Sequence, residues 1–157
     1  MITIRESRAD DMEVVRALLH EYARSLPFAL DFQCFDEEIA ALPEPYAPPR
    51  GLQLIVDDDH RPVGVGAFRP LGDDVAEIKR MYLRPAMRGR GAGAALLDTL
   101  IARALSAGYS RVRLDSHRAS MGIAIKLYRS RGFVEIPAYG PDLDGALVFF
   151  ELRLTVG

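Results

Sequence analysis

Arg88-Gly89-Arg90-Gly91-Ala92-Gly93 places three glycines in five positions, directly ahead of an uninterrupted helical pattern. Main-chain N–H groups with no side chains over them let a ligand come close, and the positive end of the following helix dipole acts at the same spot. The pattern suits a pyrophosphate, so an anionic, nucleotide-like cofactor is the expectation. A nucleoside-triphosphate loop needs Gly-x-x-x-x-Gly-Lys followed by Ser or Thr, and neither the lysine nor the hydroxyl follows these glycines. A dinucleotide loop is a closer rival, because Gly91-x-Gly93 opens a helix after a strand and Asp115 stands near the distance of a ribose-binding acid. Against that, Leu96 occupies the place of the third glycine, and the chain offers one parallel crossover where a doubly wound sheet needs several.

The elements that must hold this loop can be read around it. Ile2 to Arg5 reads as a first strand, and Asp10 or Asp11 is placed to cap a helix with Val14, Val15, Leu18, Leu19 and Tyr22 at helical spacing. Phe35 to Leu42 reads as a short helix, followed by a stiff proline-rich loop through Pro49. Leu52 to Val56, Val63 to Phe68 and Val75 to Leu83, separated by turns at 57–61 and 72–74, predict an antiparallel meander. Beyond the glycines, Ala94 to Ala107 carries Leu96, Leu97, Leu100, Ile101, Ala104 and Leu105 on one stripe, with Gly108 as the stop. Arg111 to Asp115 then reads as a strand, which makes this the one parallel crossover. Ala119 to Arg131 reads as a helix ended by Gly132, with late strands at 133–136 and 146–154. The fold class expected is α/β with a mixed, mostly antiparallel sheet of six to seven strands, flanked by about four helices, in one domain over residues 1–157.

Composition narrows the function. With 157 residues, 49% of them hydrophobic, a net charge of -2 and a pI near 5.9, the chain is an ordinary globular one without the basic excess of nucleic-acid binders. The lone cysteine, Cys34, excludes an intrachain disulfide and a cysteine metal cluster, and is expected to be a buried thiol. His20, His60 and His117 lack metal-site spacing and read as surface or loop residues, so no metal is expected. No run of about 18 apolar residues is present, and the expectation is a soluble, cytoplasmic protein with no membrane or nucleic-acid partner.

The run Arg88-x-x-Gly91-x-Gly93 matches the Arg/Gln-x-x-Gly-x-Gly/Ala signature of the GNAT superfamily of N-acetyltransferases, and Glu77-Ile78-Lys79-Arg80-Met81-Tyr82-Leu83-Arg84-Pro85 resembles the fourth strand that precedes this loop in many bacterial members. Ala124 to Phe133, with Leu127-Tyr128 and Gly132-Phe133, resembles their second hallmark, a helix carrying Leu-Tyr and ending in Gly-Phe. The resemblance covers 52–154 well and the N-terminal helices in outline.

It implies that acetyl-CoA is the co-substrate and a primary amine the acceptor. The main-chain N–H groups of Arg88, Gly89, Arg90, Gly91, Ala92, Gly93 and Ala94 would hold the pyrophosphate. Met81, Tyr82 and Leu83 would pair their backbone with the pantetheine arm beside a splayed parallel strand pair. Tyr128 would protonate the departing thiolate, and Glu77, Asp115 or water would take the ammonium proton. Met121 stands where many protein N-terminal acetyltransferases of the superfamily carry asparagine, which weakens a ribosomal-protein type of assignment. The acceptor is expected to meet 25–50, with Phe28, Phe32, Phe35 and Tyr46, and the loop 139–145, although these aromatics read equally as core for the first two helices. A homodimer is an open possibility, and an inactive regulator that binds CoA on the same fold is the alternative function.

Overall fold

The computed structural model describes residues 1–30 and 34–155, so Phe32 lies outside the described residues. The elements run β1 (Ile2–Glu6), α1 (Met12–Ser25), α2 (Phe35–Ala41), β2 (Leu52–Asp58), β3 (Arg61–Pro70), β4 (Val75–Leu83), α3 (Ala92–Ser106), β5 (Arg111–His117), α4 (Gly122–Ser130), β6 (Val134–Ile136) and β7 (Leu147–Arg153). The strands form one seven-stranded sheet in the order β1-β2-β3-β4-β5-β7-β6. Every neighbouring pair is antiparallel except β4 and β5, as the meander and the single crossover require.

Alternation along the strands divides the apolar side chains between two faces. Leu54, Val56, Ala76, Ile78, Val112 and Leu114 pack with the Leu96, Leu97 and Leu100 stripe of α3 and with Tyr128 of α4. Ile55, Val65 and Ala67 face the other way, onto Val15, Leu18 and Leu19 of α1 and Phe35 and Ile39 of α2. The stripes call for three layers, helices on both faces of one sheet, and the structure has them.

Three local expectations are corrected. Asp11 does not cap α1 through its side chain: its backbone is already helical (φ -87°, ψ -9°), and its carboxylate accepts from the Arg8 amide at 2.7 Å and the Arg5 guanidinium at 2.8 Å. A short 3-10 turn over Ala9–Asp11 thereby leads into the helix. The helix expected from Ala119 starts at Gly122, because the Ser120 amide donates to the His117 ring at 3.2 Å and holds 118–120 in a turn. Cys34 is exposed rather than buried, in left-handed backbone (φ 54°) just ahead of α2. Among the described residues, no helix is long and apolar enough to cross a membrane, and no group of three or more His, Cys, Asp or Glu is placed to hold a metal ion.

Candidate active site

The sheet opens where the site lies. β4 and β5 pair only through Val75–Glu77 and Arg111–Arg113, although β4 continues to Leu83 and β5 to His117. Past Glu77 the two strands part and leave backbone groups of β4 without a neighbour on that side.

A bulge turns β4 just past this point. Val65 pairs with Tyr82 and Ala67 with Lys79, so Gly66 alone opposes Arg80 and Met81. Arg80 takes the extra position with left-handed backbone (φ 59°), a conformation that costs a non-glycine residue about 1–2 kcal/mol. A buried network holds it there. The Arg80 guanidinium donates to both Glu38 oxygens of α2, at 2.9 and 3.0 Å, and the Tyr46 hydroxyl donates to Oε2 at 2.7 Å. Burial alone would raise the Glu38 pKa, but the Arg80 bonds and charge, with the Tyr46 bond, hold it below the usual carboxylate value. The bulge keeps Lys79 and Arg80 together on the α1–α2 side while Met81 returns to the α3–α4 side.

A groove of about 1080 Å³ runs along the α3–α4 side of the splay, between Met81-Tyr82-Leu83, the glycine loop and the start of α4. Arg88, Gly89, Gly91, Ala92, Gly93 and Ala94 line it; Arg90 does not, because its guanidinium pairs with Asp58 at 2.8 Å. The first main-chain N–H past the loop with a partner is that of Ala95, donating to Gly91 at 3.1 Å. Among the described residues, the amides of Gly89 to Ala94 make no backbone hydrogen bond of good geometry, whereas the Arg88 amide, expected among the donors, is taken by the Pro85 carbonyl at 3.1 Å because a 3-10 turn closes there. Gly91 is left-handed (φ 77°), and a Cβ built on it meets nothing within 4 Å, so the space beside its Cα is open. A row of donors at a helix N-terminus is a ready site for an anion, and the groove beyond is long and mostly apolar-walled, as an extended cofactor arm requires.

The groove leads inward to a cavity of about 170 Å³ that shares Met81, Met121, Ala124 and Tyr128 with it. Tyr22, Lys79, Arg80 and Asp115 complete the wall on the α1–α2 side. A smaller pocket of about 20 Å³, lined by Phe28, Ser116 and His117, shares Tyr22, Asp115 and Met121 with this cavity and extends it. Tyr128 therefore stands where the groove meets the cavity. Its ring is packed on Phe133 and Phe150, and burial, with the Tyr22 hydroxyl and the Asp115 charge nearby, pushes its hydroxyl pKa well up.

The two carboxylates expected near the chemistry are placed differently. Asp115 lines the cavity. Glu77 is 4% exposed and does not line it: Oε2 accepts from the Tyr139 hydroxyl at 2.8 Å and Oε1 from Arg69 at 3.2 Å. Of the aromatic residues expected near an acceptor, Phe28 lines the smaller pocket and stacks on His117 at 4.7 Å. Phe35 and Tyr46 are core residues beneath α1 instead. Tyr22, Lys79 and His117 are lining residues that the sequence did not mark as part of a site. Tyr22 sits on an amphipathic stripe, Lys79 inside a strand, and His117 at a strand end, and all three are gathered only by the splay.

The comparisons agree with this geometry. The acetyltransferase (GNAT) family model matches residues 15–133. An uncharacterized N-acetyltransferase of Schizosaccharomyces pombe is 31% identical over 147 residues, 92% of this chain and 90% of that protein. A GNAT-family acetyltransferase of Staphylococcus aureus has the same fold, with a TM-score of 0.81 at 19% identity over 99% of this chain and 100% of its own. The structure of yncA from Salmonella typhimurium, solved with its cofactor acetyl-CoA, superposes with a TM-score of 0.69 at 20% identity, covering 98% of this chain and 94% of that one. A family model that spans most of the chain, and a relative aligned over nine tenths of both proteins, show that the chain belongs to the acetyltransferase (GNAT) family.

Proposed function

We propose that this protein transfers an acetyl group from acetyl-CoA to a primary amine of a small molecule or peptide, by direct attack while both are bound. The observation that carries the proposal is the continuity of groove and cavity through Met81 and Tyr128. One side offers the donor row and the long wall that fit a CoA diphosphate and pantetheine. The other offers a smaller chamber with charged residues on its α1–α2 wall. Bringing both reactants to one point supplies much of the rate enhancement in such a site.

The residues divide the work by position. The amides of Gly89 to Ala94 would hold the diphosphate, and the unpaired backbone of Met81 to Leu83 would align the arm and offer an N–H to the thioester oxygen. Tyr128 donates to the departing sulfur. Its raised pKa keeps the phenol protonated at pH values where a carboxylic acid would already have ionised. An alkylamine is protonated near neutrality, so its proton must leave before attack. Asp115, in the cavity wall, is placed to accept it directly or through water, while Glu77 acts from behind the wall through its bonds to Tyr139 and Arg69.

The test pairs binding with turnover. Calorimetry should show saturable binding of acetyl-CoA and CoA but not of NAD(H), and a panel of primary amines should release free CoA thiol. Binding without turnover across the panel would favour the regulator instead.

Gly93→Ala separates the cradle from the scaffold. Gly93 lies in the first turn of α3 without left-handed backbone, and an added Cβ meets only Leu83 Cδ1, at 3.6 Å. The substitution should stabilise the free protein by about 0.5–1 kcal/mol through helix propensity. Acetyl-CoA affinity should stay within about threefold of the wild type, because the signature accepts alanine at this place and the added Cβ turns to Leu83. Thermal denaturation and calorimetry on one sample read the two effects, and a loss of affinity of about tenfold would mean that the diphosphate lies against the Cα of Gly93.

A further inference from the structure

Lys79 is the residue in the cavity wall that the acetyl-transfer reading leaves without a task. It is 8% exposed, and its ammonium has no hydrogen bond or ion pair among the described residues. Lysine is rarely buried to this degree without a partner, because an ammonium taken from water needs compensation. Of the 20 basic residues in the chain only Lys79 and Lys126 are lysines, so this position departs from a strong preference for arginine. The charges around it come from several elements: Glu77 and Arg80 on its own strand, Arg69 on β3 and Asp115 on β5. Burial lowers the Lys79 pKa, and the pull of Glu77 and Asp115 does not offset it. Glu77 is already committed to Tyr139 and Arg69, and the Arg80 charge is met by Glu38.

We infer that Lys79 is the anchor for a carboxylate on the acceptor, so that the substrate is an amine bearing its own acid group, of amino-acid type. The inference rests on the cavity being the acceptor chamber. The chamber is small, about 170 Å³, and has opposite charges on its wall. An acceptor lying across it would set its amine toward Tyr128 and Asp115 and its carboxylate against Lys79. That contact returns to the ammonium the compensation that burial removed. Lysine suits the place better than arginine because its compact charge fits a small chamber with room for one anionic group.

The experiment measures CoA thiol release with alanine, methionine and phenylalanine, each set against its amide and its decarboxylated amine. The wild-type protein should prefer the acids by about tenfold or more in kcat/KM, the scale of one buried charged hydrogen bond. Lys79→Met should remove that preference mainly through KM, while leaving acetyl-CoA binding and the rate with the amides unchanged. Equal turnover of acids and amides by the wild type would overturn the anchor and leave the acetyltransferase reading standing. Turnover of amides and amines alone would do the same. No turnover with any of the nine, despite acetyl-CoA binding, would count against both. Intact-mass analysis after incubation with acetyl-CoA alone provides a further check: an added acetyl group mapped to Lys79 would make the amine an acceptor itself and overturn its role as an anchor.

Discussion

Tyr128→Phe is expected to lower kcat by about 10²–10⁴, the usual contribution of a positioned general acid, with little change in acetyl-CoA affinity. The ring supplies the packing against Phe133 and Phe150, so removing one oxygen leaves the fold in place. The pH profile makes the test specific. Because burial first, then the neighbouring Tyr22 hydroxyl and the Asp115 charge, raise the Tyr128 pKa above its ordinary 10.0, the donor form persists through and beyond pH 10. The wild-type rate should therefore rise with pH as the acceptor amine loses its proton, with no falling limb from Tyr128 below pH 10. The phenylalanine variant should keep the same rising limb at a much lower level. Steady-state kinetics across pH 6–10 would decide: a rate within threefold of wild type would remove Tyr128 from the proton path.

Glu38→Ala is expected to be the most damaging single change to stability, at about 3–5 kcal/mol, because it takes the carboxylate away from a buried guanidinium. Glu38 and Arg80 have side chains only 5% and 2% exposed, so water cannot readily replace the lost bonds. A loss of this size corresponds to a fall of about 10 °C or more in Tm for a domain of this length. The pair also holds the left-handed turn in β4, so the variant should lose acetyl transfer at temperatures where it is still folded. Replacing both partners with apolar residues, Glu38→Leu with Arg80→Met, should recover much of the stability but not the activity.

The same pair sets a pH limit. The Glu38 pKa is depressed in the folded protein, so its contribution is complete above the ordinary value of 4.5 and is lost as pH falls through the folded value. Acid titration of the wild type and of Glu38→Gln should converge at low pH. If they remain parallel, the network does not carry the stability assigned to it.

Much of the architecture was legible because it follows from local periodicity. The α3 stripe, with Gly108 in left-handed backbone at φ 96°, and the alternation on β5 state which side of each element is buried. The run from Val75 to Leu83 is a strand over its full expected length. The end that failed, the start of α4, failed because a His117–Ser120 turn competes with the helix there, and propensity does not register a ring-to-amide bond.

By itself the sequence determined the glycine-rich turn into α3, since three glycines ahead of a helix stripe are a local property, and it marked Tyr128 as the residue of the second hallmark. Tertiary structure alone decided which side chains share the cavity. Asp115 and Glu77 are both acids on adjacent strands, yet the strands part after Glu77, which leaves Glu77 behind the wall and Asp115 in it. Tyr22, Lys79 and His117 come from a helix and two strands far apart in the chain, and only the splay and the bulge bring them together. Periodicity records which face of its own element a side chain occupies. Where two elements separate, and what is then left between them, depends on contacts that no local window contains.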